Sequence, residues 1–199
     1  MRIFFTSDLH ISHENILKFE PYRKKYLKCE NINEHDKAII GSWNSIVKDD
    51  DIVYVLGDLG FDRSSERQYV NQLKGIKILI RGNHDQEKDY YYYKLGFSAV
   101  MYEAVIKIGK TKVLLSHYPY RLSFWSKLKL LLRGKYHQKD QTKRPINRGM
   151  WLLHGHIHSG GSNRILSTIS GERQINVGLD ANKCKLISAQ EISNIINKK

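Results

Sequence analysis

Ile78-Leu79-Ile80-Arg81-Gly82-Asn83-His84-Asp85 is the stretch on which the reading of this chain turns. An apolar run stops at a glycine and then delivers an amide, an imidazole and a carboxylate. Bulky, β-branched residues in a short run read as a buried strand, and the glycine lets the backbone turn at its end. Unpaired polar groups are costly in a core, so three of them at a strand tip mark a site.

Other strand tips carry groups of the same kind. Arg2 to Ser7 reads as a short buried strand that ends in Asp8-Leu9-His10. Residues two apart at a strand end project to the same side, so Asp8 and His10 are expected to grip one ion together. A short helix over this strand is expected within His13–Tyr22. Ile52 to Leu56 is a second strand, ending in Gly57-Asp58, and Ile76 to Ile80 is the third. Between them lie helical stretches. One has Asn33 as its N-cap and Ile39, Trp43, Ile46 and Val47 on its apolar face. The other runs from Ser65 to Leu73 and is stopped by Gly75. Strands alternating with helices predict a parallel sheet, and such sheets bind ligands at the carboxyl ends of their strands.

The second half repeats the pattern. Ser98–Ile108 and Thr111–Ser116 read as a hairpin around Gly109-Lys110, and the second strand ends in His117. Trp151–His154 is a strand ending in Gly155-His156-Ile157-His158, where His156 and His158 should share a side and His154 is structural. Arg173–Val177 is a further strand, and Ser188 caps a last helix through Ile192, Ile195 and Ile196. Tyr90 to Tyr93 fit a helix with mixed burial, and Asp49-Asp50-Asp51 an acidic turn. With no repeat and no linker, residues 1–199 read as one domain.

Composition bounds the setting. The chain is 41% hydrophobic and 27% charged, ordinary for a globular protein. Cys29 and Cys184 stand far apart without CxxC spacing, which points to a reducing compartment and against a disulfide framework or a zinc knuckle. No apolar run reaches the roughly 20 residues of a membrane span, and no targeting segment is evident, so a cytoplasmic protein without membrane association is expected. The net charge of +13 fits a polyanionic partner. A chain rich in Lys, Ile, Asn and Tyr from an AT-rich genome would show the same bias. Lys18, Arg23, Lys24, Lys25 and Lys28 read as a solvated basic cluster. A basic insert spans about residues 121–148, where nine Lys and Arg oppose the lone acid Asp140. It begins just after His117, so Arg121, Arg144 and Arg148, together with His13 near His10, are the candidates for substrate contacts.

Collected in order, the strand-end groups are Asp8, His10, Asp58, Asn83, His84, His117, His156 and His158. Carboxylate, imidazole and amide ligands without thiolate suit Mn, Fe or Zn rather than Ca, and the set is large enough for two dications sharing Asp58. The sequence resembles the calcineurin-like metallophosphoesterases. Their pattern stands here as Asp8-Leu9-His10, Gly57-Asp58, Gly82-Asn83-His84-Asp85, His117 and Gly155-His156-Ile157-His158. The opening Thr6–Ile16 looks like a small subgroup found in bacteria and phages.

The resemblance implies a four-layer α/β/β/α sandwich with a dinuclear metal site at the carboxyl ends of its strands. By carry-over, metal one takes Asp8, His10, Asp58 and His158; metal two takes Asp58, Asn83, His117 and His156. Mn²⁺ comes first, with Fe, Zn or Ni as alternatives. His84 is implied to act on the substrate phosphoryl group as a catalytic residue, with Asp85 orienting it. The implied reaction is phosphoester hydrolysis by a water that the ions activate. The basic insert leans the substrate towards nucleotides or nucleic acid and the activity towards a phosphodiesterase. A phosphomonoesterase is the alternative, since Arg81 before the glycine is similar to protein phosphatases. A scaffold that kept the fold without catalysis is the remote one. No helix-turn-helix, zinc-finger or OB pattern supports a pure nucleic-acid-binding module. Oligomeric state is not read from the sequence.

Overall fold

A computed structural model describes residues 1–60, 63–121, 142–158 and 169–198. Most of the predicted basic insert lies outside the described residues.

Among the described residues ten strands form two five-stranded sheets. In the first sheet β1 (Ile3–Thr6), β2 (Ile52–Val55), β3 (Ile76–Ile80) and β4 (Phe97–Met101) run parallel, and β10 (Ile187–Ser188) pairs antiparallel with β1. The second sheet has the order β5 (Glu103–Ile108), β6 (Thr111–Ser116), β7 (Trp151–His154), β9 (Gln174–Asn176) and β8 (Ile169–Gly171). Its three central strands β6, β7 and β9 are parallel. The expectation of one strand over Ser98–Ile108 is corrected. The chain leaves the first sheet at Met101, passes the exposed Tyr102, and enters the second sheet at Glu103.

Side-chain alternation sorts two cores. Phe5, Leu56 and Ile80 from the first sheet meet Val113, Leu115, Leu153 and Ile175 from the second, so the sheets pack face to face. Phe4, Val53, Val55 and Leu79 point the other way, under helices α3 (Ile32–Ile46), α4 (Arg63–Val70) and α5 (Asp89–Lys94). Along α3 and its C-cap, Ile39, Trp43 and Val47 fall four apart and are buried, while Ile46 is 37% exposed. The N-cap of α3 is Asn31, two residues before the expected Asn33. Its side chain accepts from the Glu34 amide, and Glu34 reaches back to the Glu30 amide. The last helix, α6 (Ala189–Asn197), opens with Ser188 and Glu191 in a capping box and seals the inter-sheet core with Ile192. In α5, Tyr92 is buried while Tyr90 and Tyr93 are exposed.

Two short helices, α1 (Ile16–Phe19) and α2 (Tyr22–Leu27), follow β1. Within α2 the solvated-cluster reading fails for one residue: Arg23 is completely buried. The Asp49–Asp51 stretch is a turn, as expected, in which buried Asp51 grips Arg2. Among the described residues no helix is long and apolar enough to cross a membrane.

Candidate metal centre

Parallel strands in both sheets bring their carboxyl ends to one edge. There the sheets are stitched together: Ser7 bridges Gly178, the Leu179 amide donates to the Ser7 carbonyl, and Ser7 Oγ donates to the Leu56 carbonyl. Close approach sets the glycine positions. A Cβ on Gly57, which has φ +88°, would stand 2.6 Å from the Gly82 backbone and from His117 Nδ1. One on Gly155 would run into Ser7 Oγ and Asp8 Oδ2.

The predicted ligands gather here in two groups. Asp8, His10, Asp58 and His158 place one donor atom each within 4.8 Å of one another, and so do Asp58, His117 and His156. Asp58 belongs to both groups. Asn83 joins the second, with Oδ1 3.1 Å from His117 Nε2. The pairing of Asp8 with His10 is as expected, but not through extended-strand alternation. Both are left-handed, at φ 59° and 52°, as are Asp58 at 55° and His156 at 68°. Such backbone is strained for residues with a Cβ, and it persists where surroundings hold it. His156, left-handed at φ 68°, and His158 fall in different groups.

The donor chemistry fits cations. His117 Nδ1 lies 2.8 Å from the Leu56 carbonyl, which can only accept, so the ring proton sits there and Nε2 keeps a lone pair. That lone pair faces Asn83 Oδ1 and His156 Nδ1, each at 3.1 Å. His158 gives Nδ1–H to Asp180, which turns its Nε2 towards His10 Nε2 at 3.1 Å and Asp8 Oδ1 at 3.5 Å. Where two lone pairs face each other a cation between them removes the repulsion, and in its absence a proton on His158 Nε2 does the same against Asp8. Burial pushes the Asp8 carboxyl up, against the pull of His158 and His117 and with the negative charges of Asp58 and Asp180. Burial, with Arg23 nearby, drives His10 well down. Burial and the proximity of His117 and Arg144 take His156 down to about 3. His158 goes the other way: burial opposes its proton, but Asp180 and Asp8 raise it to about 9. Buried carboxylates and lone pairs aimed at common points are a setting that a divalent ion satisfies.

His84 stands at the rim. Its backbone amide donates to Asp58 Oδ1 at 3.0 Å, its ring is 40% exposed, and Nε2 is 4.0 Å from Asp58 Oδ2. Asp85, expected to orient His84, accepts with its carboxylate from the amides of Asp58, Leu59 and Gly82. It ties the β2 and β3 tips together and holds the loop that carries His84. His13 is half-buried, with its ring 5.4 Å from that of His10. Arg121 donates to the carbonyls of Arg144 and Thr142. Arg121, Arg144 and Arg148 line a cavity of about 460 Å³ with Tyr120 and Lys143. Sequence reasoning missed Arg23 and its partner Asp180, which back the first group.

The calcineurin-like phosphoesterase family model matches residues 1–167. The chain belongs to the calcineurin-like phosphoesterases. It is therefore a metal-dependent phosphoester hydrolase, and its donor groups are in place for that chemistry. The gene 66 protein of Mycobacterium phage L5 is 32% identical to it, over 98% of this chain and 93% of its own length. The MJ1445 protein of Methanocaldococcus jannaschii is 27% identical over 99% and 92%. The crystal structure of the AQ665 protein from Aquifex aeolicus superposes with a TM-score of 0.65 at 26% identity, covering 98% of both chains. The phage relative accords with the small bacterial and phage-type subgroup.

Proposed function

We propose that this phosphoesterase is a phosphodiesterase with a dinuclear centre, acting on a nucleotide or nucleic-acid substrate. The observation that carries the reading is the sharing of Asp58 between two donor groups at one sheet edge. Asp8, His10, Asp58 and His158 would hold one ion; Asp58, Asn83, His117 and His156 would hold the other. Mn²⁺ is the first choice, since the donors are carboxylate, imidazole and amide without thiolate. When bound, the ions supply Lewis acidity to the phosphoryl oxygens and an acidified water as nucleophile. The protein's own part is positioning. Asp58 Oδ1 holds the His84 amide, and Asp85 fixes the loop from which His84 projects. The exposed His84 imidazole can then hydrogen-bond or protonate the leaving oxygen. His13 flanks the site on the His10 side, and Arg144 lies close enough to His156 to depress its basicity. These positions support a role for both in meeting substrate phosphate.

The feature similar to protein phosphatases does not favour a monoesterase. The Arg81 guanidinium donates to the Asp85 carbonyl and to Asp89 and is sandwiched by Tyr92 and Tyr102. It is spent on the fold. Cys29 and Cys184 are free and buried, which suits a reducing cytoplasm. Residues 1–199 act as one domain in this reading. The test is hydrolysis of bis-aryl against mono-aryl phosphate with Mn²⁺, followed by cyclic nucleotides, dinucleotides and single-stranded DNA and RNA. Faster hydrolysis of the monoester would overturn the diesterase reading.

A further inference from the structure

Arg23 is the one member of the Lys18–Lys28 basic cluster with no exposed surface, and its guanidinium is fully engaged. Nε donates to Asp180 Oδ1 at 2.7 Å. Nη2 donates to the Asp8 carbonyl at 2.9 Å and Nη1 to the Leu9 carbonyl at 3.2 Å. Nη1 also faces His35 Nε2 at 3.3 Å. These contacts come from sequence positions 8, 9, 35 and 180, so a helix residue far from any strand tip gathers three separate segments.

The contacts lead to the first donor group by two routes. One passes through Asp180. This carboxylate is buried, and its second oxygen accepts the Nδ1 proton of His158. Held between a guanidinium and an imidazole, Asp180 fixes the ring plane of His158 and keeps a proton on Nδ1, so that Nε2 is the atom turned to the metal site. Glu20 brings another carboxylate oxygen within 4.8 Å of the donor atoms of His158 and Asp180, so a cation is needed here to offset buried negative charge. The other route is backbone. The carbonyls that Arg23 grips belong to Asp8 and Leu9, inside the stretch where Asp8 and His10 are both left-handed. A fork of fixed geometry locks that turn as a single-point charge would not.

Resting on the metal-dependent reading above, we infer that Arg23 is the positioning residue of the first metal site. It sets His158 through Asp180, and Asp8 and His10 through their backbone. It touches neither substrate nor metal. Arg23 makes no contact with the second group, where the Leu56 carbonyl orients His117 and Asp85 holds the Asp58 and Gly82 amides. The inference therefore predicts a defect confined to one site, which a general loss of stability would not produce.

The test uses the full chain, stripped of metal and titrated with Mn²⁺ by calorimetry, with circular dichroism as the fold control. Asp180→Asn should weaken the first-site affinity roughly 10- to 100-fold and leave the second within about twofold. Arg23→Lys, which keeps the charge but loses the fork, should show the same one-site defect. A folded Asp180→Asn protein that binds two Mn²⁺ with wild-type affinity would overturn the inference. Should the variants fail to fold, the wild-type protein loaded with Zn²⁺ decides through its histidine ¹⁵N spectrum. His158 must carry its proton on Nδ1, and a proton on Nε2 overturns the inference. Wild-type protein that takes up no Mn²⁺ would sink the choice of ion, and one that takes up a single Mn²⁺ the dinuclear reading, before any variant is compared.

Discussion

Asn83 Oδ1 and His117 Nε2 face each other at 3.1 Å, two lone-pair donors on loops from different sheets. A neutral His117 that gives its one ring proton to Leu56 has none left for Asn83. This pair implies that the second group is held in shape for a cation. His117→Ala should therefore bind one Mn²⁺ where the wild type binds two. Asp58→Ala should bind none tightly, since Asp58 serves both groups. Elemental analysis of the purified proteins reads this directly. Full occupancy in Asp58→Ala would refute the bridging role.

His84 separates chemistry from metal holding. Its ring is the most exposed of the imidazoles at this edge, and its backbone amide donates to Asp58. His84→Ala should retain metal and melt like the wild type. Turnover on the best diester should fall on the order of 10²–10⁴-fold, the range for loss of a general acid. Unchanged turnover would remove His84 from the reaction.

Much of this centre is legible in the sequence because its ligands follow strands whose apolar runs announce themselves. Asp8, Asp58, Asn83, His117 and His156 each sit within three residues of such a run. What is not legible depends on distant partners. Arg23 stands among lysines and looks solvated; its burial is decided by Asp180, 157 positions away. The change of sheet at Tyr102 leaves no local mark, since β4 and β5 are both strand-like. Asn33 and Asp36 mimic the Asn31–Glu34 pair, which shifts the expected α3 cap by two residues. The structure gives Asp36 to Ser12 and His35 instead. The left-handed turns at Asp8 and His10 are held by Arg23, so they too are hidden from a local reading.

Two glycines should respond in opposite ways to a methyl group. Gly155 has no room: a Cβ would displace Ser7 and Asp8. Gly155→Ala is expected to cost about 1–3 kcal/mol, as overpacking does, and to lose metal from the first group. Gly41 lies in α3, and a Cβ added there would meet nothing within 4 Å. Gly41→Ala should stabilise the protein by about 0.5–1 kcal/mol. Urea denaturation of both variants checks the pair. A Gly155→Ala protein with wild-type midpoint and metal content would contradict the close-packed edge.

His35 makes stability fall in acid. Its Nδ1 proton goes to Asp36 Oδ1 at 2.8 Å, and its Nε2 accepts from the Arg23 guanidinium. Protonating Nε2 would set a cation against Arg23 inside the protein. Burial, assisted by the Arg23 charge, lowers the His35 pKa below its usual 6.5, despite the opposing pull of Asp36. The unfolded chain therefore binds the proton first as pH drops. The stabilisation from neutral His35 is intact above 6.5, shrinks as pH falls below it, and is used up once the folded pKa is passed. The slope in that window is at most about 1.4 kcal/mol per pH unit for one proton. His35→Asn, which cannot titrate, should lose this part of the dependence. Urea midpoints of metal-free protein between neutral and mildly acid pH provide the measurement. Identical pH profiles for the two proteins would show that His35 is not a source of acid sensitivity.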